Sequence, residues 1–253
     1  METTSYIALS RQSGLRRQMD VVANNLANMN TTAFKSEKMM FVEHLVKSRS
    51  SESFIPIKLS FSRDIAQFRD MREGPIKTTG NPLDLAVRKD GFFVVETPSG
   101  ERYTRNGRFR LDQEGQVVTQ SGFPVLSSAG TPLFLSPEDK DITVATDGTF
   151  STNNGDLGKL RIVRFNDPQR LQRLADGLYS AKKPDGTLGA DLQPEDVEGP
   201  SIIQGALEGS NVQPIIELTR MIEVNRAYDS VKKFIDKEDE RQKKMIQQLA
   251  PRF

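Results

Sequence analysis

The chain holds one histidine, His44 in FVEHLVK, and no cysteine. A single imidazole cannot supply a histidine-rich zinc site, and without a thiol there is no thiolate nucleophile, cysteine metal site or disulfide. No HExxH, GxSxG or phosphate-loop pattern occurs, so His44 reads as a half-exposed surface residue. Carboxylates are plentiful, and Asp84, Asp90, Asp112, Asp141, Asp147 and Asp156 all stand near turn signals. Aspartate at a turn is explained by capping of backbone N–H groups, with no need of a paired-carboxylate active site. DGTFSTNNGD misses the spacing of a calcium loop. Arg102, Arg105, Arg108 and Arg110 interleave with Tyr103 and Phe109, a composition that could stack on and neutralise a nucleic acid. Strand parity argues otherwise. The aromatics fall on the face opposite three of the four arginines, as in a half-buried strand with a solvated basic side. The residues therefore point to no catalytic centre, no metal, no cofactor, no small-molecule substrate and no nucleic acid.

Composition agrees. The 253 residues suffice for one large domain or two modest ones, and a formal charge of +1 sets up no field toward a polyanion or an anionic membrane. METTSYIALSRQSGLRRQMD lacks the basic start and unbroken apolar core of a cleaved signal peptide. No apolar run approaches the roughly 20 residues of a membrane span. Arg11, Arg16 and Arg17 could lay the N-terminal helix on a membrane, but the uncharged run from Val21 to Phe34 has no large apolar face to insert. No direct membrane insertion is expected.

What remains is architecture. Leu15, Met19, Val22, Leu26 and Met29 are spaced four, three, four, three, a heptad seam along one helix. At the other end Pro214 suits a first helical turn, and Met221, Val224, Tyr228, Val231 and Ile235 repeat the alternation, with Met245 and Leu249 resuming it. That second helix could run about 35 residues, roughly 50 Å. Two seams at opposite ends of the chain predict that the terminal helices pair; the alternative is that both dock on a central domain. Between them the period changes to two. GFFVV (residues 91–95) is a buried-type strand, RYTRNGRFRL alternates, DQEG turns into QVVTQ, and Asp147-Gly148 marks a hairpin between ITVA and TFS. LRIVRF is a further strand. The expected fold class is α+β: N- and C-terminal helices pairing as a coiled-coil arm, with an inserted antiparallel all-β domain. The expected divisions are residues 1–35 with 212–253 for the arm, 36–80 for an extended crossing segment without sustained period, 81–182 for the β domain and 183–211 for a Gly/Pro-rich return.

The first helix has an unusual second face. With Asn24 at zero, the seam falls between about 140° and 220° on a helical wheel, Asn28 near 40° and Asn25 near 100°, with Ala23 and Ala27 near 260° and 300°. A solvent face would carry charge; amides and alanines instead permit close backbone approach and satisfy polar groups. An equally simple reading is a weakly helical end running into the Asn-Thr-Thr turn.

Three stretches of the sequence resemble one known family. VVANNLANMNTTAFKSE (residues 21–37), GNPLDLAV with DGFFVVETPSGERYTRNGRFRLDQEGQVVTQSGFPVL (80–87 and 90–126), and EGSNVQPIIELTRMIEVNRAYDSVKKFI (208–235) are similar, in order, to the signatures of bacterial flagellar rod and hook proteins. Ala33 stands where glycine is usual, which leads to the expectation that this turn needs no positive φ. Asn225 stands where glutamine is usual. The resemblance implies paired terminal helices in an inner layer with a β domain outside, and helical polymerisation into a rod spanning the periplasm. It implies export through the flagellar type III apparatus without a cleaved signal peptide, and no catalysis or cofactor. Expected partners are further copies of the chain and other axial rod proteins. Length and the absence of a long insertion between Phe41 and Pro82 favour a proximal over a distal rod subunit; a coiled-coil adaptor outside the flagellum is the remaining alternative. In this picture Leu15, Met19, Val22, Leu26, Met29, Met221, Val224, Tyr228, Val231 and Ile235 zip the helices, and Asn24, Asn25 and Asn28 meet neighbouring subunits. With Phe34, which ends the helix, they form the expected assembly interface.

Overall fold

A computed structural model describes residues 2–48, 57–136, 139, 141–181 and 192–249. It forms two compact units, each assembled from segments far apart in the chain: Met1–Asn28, Glu37–Asp70 and Val212–Phe253 in the first, Met29–Ser36 and Met71–Asn211 in the second.

Unit 1 contains α1 (Glu2–Ala27), β1 (Glu37–Ser48), β2 (Ile57–Arg69) and α2 (Pro214–Leu249). α2 runs 36 residues and opens on Pro214, where the missing N–H is no loss. The helices pack on one another and run antiparallel: Ile7, Ala8 and Arg11 share a groove with Ala227, Ser230 and Val231, while Asn25 reaches Glu217 at the other end. Val22 and Val224 are buried, and Leu15, Met19, Leu26, Met221, Tyr228, Val231 and Ile235 are half-buried. Met29 is a correction. It lies beyond the end of α1, exposed, in unit 2, because the helix stops at Ala27.

The stretch after α1 also departs from the expected crossing segment. β1 and β2 form one antiparallel ladder from Glu37 opposite Arg69 to Ser48 opposite Ile57. The register shifts where Met40 faces Ala66 and Phe41 faces Asp64, leaving Ile65 as an extra residue, so pairing parity switches partway along β2. His44 sits in β1; its side chain lies outside the described residues, as does the whole of 49–56.

Unit 2 is antiparallel β. Its strands are β3 (Ile76–Thr78), β4 (Leu85–Val87), β5 (Phe92–Thr97), β6 (Gly100–Thr104), β7 (Phe109–Leu111), β8 (Val117–Thr119), β9 (Thr143–Val144), β10 (Thr149–Thr152), β11 (Gly155–Lys159), β12 (Ile162–Arg164), β13 (Gln172–Arg173), β14 (Leu178–Ser180), β15 (Glu195–Asp196), β16 (Ile202–Gln204) and β17 (Ala206–Glu208). A six-stranded sheet, ordered β13-β14-β6-β5-β12-β15, is the centre. β5 lies deep within it and is buried on both faces, which is why GFFVV is a continuous apolar run. Phe93 and Val95 enter a core with Leu85, Phe109, Phe150 and Ile162; Phe92 and Val94 enter a second with Tyr103, Val163, Phe165 and Tyr179. Edge-to-face contacts, Phe93 on Phe109 at 5.1 Å and Tyr103 on Phe165 at 4.8 Å between centroids, orient the rings.

RYTRNGRFRL is two strands, not one. The chain breaks at Asn106-Gly107, where a Cβ on Gly107 would lie 1.7 Å from the carbonyl oxygen of Leu85. Arg108 and Arg110 are exposed as parity required, Leu111 is exposed against it, and Arg105, which shares the parity of Tyr103, is buried. The return segment is paired as well: β15 joins the large sheet, β16 pairs with β4 and β17 with β3. Its Gly/Pro-rich start, including Pro184, Gly186 and Gly189, lies outside the described residues.

Ala33 corrects a second expectation: its φ is +57°. The turn does require the left-handed conformation, and alanine occupies it at a cost of about 1 to 2 kcal/mol because its N–H is held by the Glu208 carbonyl at 2.8 Å. Replacing Ala33 with glycine should therefore be neutral or stabilising by up to about 1 kcal/mol, whereas valine should cost about 2 kcal/mol or more. Urea denaturation of the two variants checks this; a valine variant as stable as the alanine protein would refute the strain.

Candidate functional site

Motif residues that read as loosely polar in the sequence are buried and bonded within the units. In unit 1 the centre is Asn25, fully buried on the last turns of α1. Its Oδ1 accepts from the Glu37 N–H at 2.9 Å and its Nδ2 donates to the Glu37 carbonyl at 2.8 Å. The amide thus acts as a one-residue strand partner and fixes where β1 starts. Nδ2 also donates to Glu217 Oε2 at 3.3 Å, and Glu217 Oε1 accepts from Arg220 at 2.9 Å. Glu217 sits in the first turn of α2, where a carboxylate is favoured by the helix dipole. One amide therefore ties α1, β1 and α2. Only asparagine has the length and the donor and acceptor pair for this position.

This revises the role expected of Asn25, since a side chain bonded inside its own unit offers nothing to a neighbour. Asn24 and Asn28 differ. They are half-buried, and Asn28 Nδ2 donates to the Asn24 carbonyl and to Asn24 Oδ1, both at 2.9 Å, closing the final turn of α1.

In unit 2 the corresponding centre is ionic. Lys35, Arg105 and Glu208 have side chains at most 1% exposed. Glu208 Oε1 accepts from Lys35 Nζ at 2.6 Å and from the Gly74 N–H at 2.9 Å, and its Oε2 accepts from Arg105 Nε at 3.0 Å. Gly74 must be glycine, because a Cβ there would lie 2.0 Å from the carbonyl oxygen of Gly209. Lys35 donates further to the Arg72 carbonyl at 2.7 Å, and Arg105 donates to the Lys89 carbonyl with its guanidinium over the Phe92 ring. Burial disfavours the Lys35 ammonium and the Arg105 charge adds to that, so its pKa is lowered although Glu208 opposes the shift. Burial also works to raise the Glu208 pKa, but Arg105 and Lys35 outweigh it and hold the carboxyl below its ordinary value.

Beside the ion cluster Asn211 repeats the asparagine device: Oδ1 accepts from the Ser36 N–H at 2.8 Å and Nδ2 donates to the Arg72 carbonyl at 3.0 Å. Phe34, expected at an assembly interface, is buried in unit 2 beneath the Arg173 guanidinium, 4.7 Å from the ring centroid. Sequence reading missed Lys35, Glu208, Asn211 and Glu217. The available signals were charged or amide residues in otherwise uncharged motif stretches, AFK and EGSNV, and the odd parity of Arg105. The turn carboxylates are spent locally: Asp112 accepts from the Gln116 N–H and Asp147 from the Thr149 N–H.

Residues 6–35 match the family described as flagella basal body rod protein, 86–152 the flagellar hook protein FlgE/F/G D1 domain, and 203–248 the flagellar basal body rod FlgEFG protein C-terminal family. Lys35, Arg105 and Glu208 fall one in each. Among whole proteins, the flagellar basal-body rod protein FlgF of Caulobacter vibrioides is 39% identical over 251 residues, covering 99% of both chains. FlgF of Mesorhizobium japonicum is 32% identical over 91% of this chain and 90% of its own. The basal-body rod protein FlgG of Bacillus subtilis is 30% identical, covering 93% of this chain and 94% of its own.

Two outcomes follow from the geometry. Asn25→Ala, which strands both backbone groups of Glu37, should cost about 2 to 3 kcal/mol, and Asn25→Asp, which sets a second carboxylate against Glu217, at least as much. Thermal melts followed at 222 nm check the order. For Glu208, a carboxyl held below its unfolded pKa contributes stability above the unfolded value and loses it as the pH falls through the folded one. The stability gap between the native protein and Glu208→Gln, measured in urea from about pH 7 to about pH 3, should shrink on acidification; a constant gap would assign the effect to shape alone.

Proposed function

The chain belongs to the flagellar basal-body rod protein family, and we propose that it works as a structural subunit of the proximal rod, polymerising into the axial drive shaft needed for motility. The observation that carries this reading is apolar surface left uncovered on unit 1. On α2 Ile215 is 80% exposed, Ile222 52% and Leu218 47%, all on the side away from the Val224 seam; Tyr6 and Leu9 are similarly exposed on α1. Several large aliphatic side chains together on one face favour a protein partner over water. In this reading the seam residues of α1 and α2 zip as a coiled coil within a subunit, while Asn24, Asn28 and the outer face of α2 meet other copies or other rod proteins. Many modest contacts then sum to a torsionally stiff tube.

Among the described residues no helix is long and apolar enough to cross a membrane. This fits a subunit that reaches a periplasmic rod through the flagellar type III apparatus without inserting into the bilayer. The protein is read as having no enzymatic activity, no cofactor and no small-molecule substrate. A distal rod subunit is the second reading, favoured by the resemblance to FlgG of Bacillus subtilis over 93% of the chain. Deleting the gene decides between them: basal bodies arrested at the proximal rod support the first, and a completed proximal rod lacking its distal part supports the second.

Ile222→Asp should abolish polymerisation in vitro while changing the urea midpoint of the monomer little, since the residue is half exposed. Asn24→Asp and Asn28→Lys should weaken assembly in the same way. Sedimentation and negative-stain microscopy read the polymer; normal filaments from Ile222→Asp would remove the outer face of α2 from the interface.

A further inference from the structure

Glu208 ends a short buried strand. β17 has three residues and pairs only with β3, also of three residues, in a two-stranded sheet. Isolated two-stranded pairings are marginal in water. Yet its last residue carries a carboxylate that lies between two buried cations, contacting Lys35 across 173 residues of chain, Gly74 across 134 and Arg105 across 103. Glu73 acts on Lys35 as well, but more weakly than Glu208. Were residues 206–211 to lift away with the rest of unit 2 intact, an ammonium and a guanidinium would be left side by side in a dry interior. Burying unpaired like charges is far more costly than breaking the few ladder bonds of β17.

We infer that Glu208 is a completion lock: it makes closure of unit 2 conditional on docking of the strand that ends at residue 208. The two cations, contributed by the segment after α1 and by the end of β6, are mutually repulsive until the carboxylate arrives. A partly closed unit 2 is therefore disfavoured against both the finished and the unfolded chain. Local opening of the 206–211 strap is suppressed, and it opens only when the sheet opens.

Native-state hydrogen exchange on the full chain distinguishes this from a local tether. The Ala33 and Gly209 N–H groups report the strap, through bonds to the Glu208 and Pro75 carbonyls; those of Val117 and Leu126 report the sheet, through bonds to the Leu133 and Val94 carbonyls. The lock predicts that both pairs exchange in one cooperative opening with the same urea dependence. Glu208→Gln should then lower protection of all four together by about 100-fold or more. Faster exchange at Ala33 and Gly209 with Val117 and Leu126 unchanged would overturn the inference. Lys35→Met combined with Glu208→Gln removes one of the two cations and should restore at least about tenfold of the lost protection. If Glu208→Gln does not fold, the same double variant should recover a folded protein; a double variant no better than the single, in protection or in folding, would also overturn it.

Discussion

Everything in unit 2 closes on one carboxylate. Glu208 accepts from an ammonium, a guanidinium and a backbone N–H, and no solvent reaches it. Buried ion groups are poor sources of net stability, because desolvation consumes most of the attraction; their value lies in what happens when one member is missing. Here the members come from three stretches of chain, so the cluster forms in one arrangement only. The hydrophobic cores around β5 would tolerate many aliphatic choices. The charges would not, and they specify which three segments meet.

Unit 1 achieves a similar specification without net charge. Asn25 offers its amide to both backbone groups of Glu37, as Asn211 does for the Ser36 N–H and the Arg72 carbonyl in unit 2. A planar amide substitutes for a peptide group, which lets a strand begin or a turn close where no backbone partner is in reach. The asparagines of NNLANMN therefore divide by depth. Asn25 is structural and buried, Asn24 and Asn28 finish the helix at the surface, and Asn30 is exposed.

The two terminal helices and the buried strand at Phe92 to Val95 were legible, because burial imposes a period and the period survives in the sequence. The β1–β2 ladder was not, because the extra residue Ile65 in β2, opposite Met40 and Phe41, resets the parity on which the reading depends. Arg105 was half legible: parity placed it with Tyr103 on the inner face, but nothing local named a partner. Lys35 and Glu208 could not be paired from sequence at all, since opposite charges 173 residues apart have no periodic relation. Ala33 was misread for the opposite reason. Residue type alone does not report backbone angle there, because a hydrogen bond to the Glu208 carbonyl holds φ positive against the preference of alanine.

The two units differ in what they leave unsatisfied, and that difference bears on the proposed role. Unit 2 buries two cations on one carboxylate and most of its aromatic rings in two cores. Unit 1 leaves Ile215, Leu218 and Ile222 on one outer face of α2. A helix of 36 residues is some 54 Å long at about 1.5 Å per residue, and one partner helix of 26 residues can cover only part of one side. Stability and unfinished surface are thus placed in separate parts of the chain. A subunit built this way can fold its β unit before assembly and still gain free energy by burying its helices against others, which is the thermodynamic requirement for a polymer that grows from folded monomers without aggregating through its sheets.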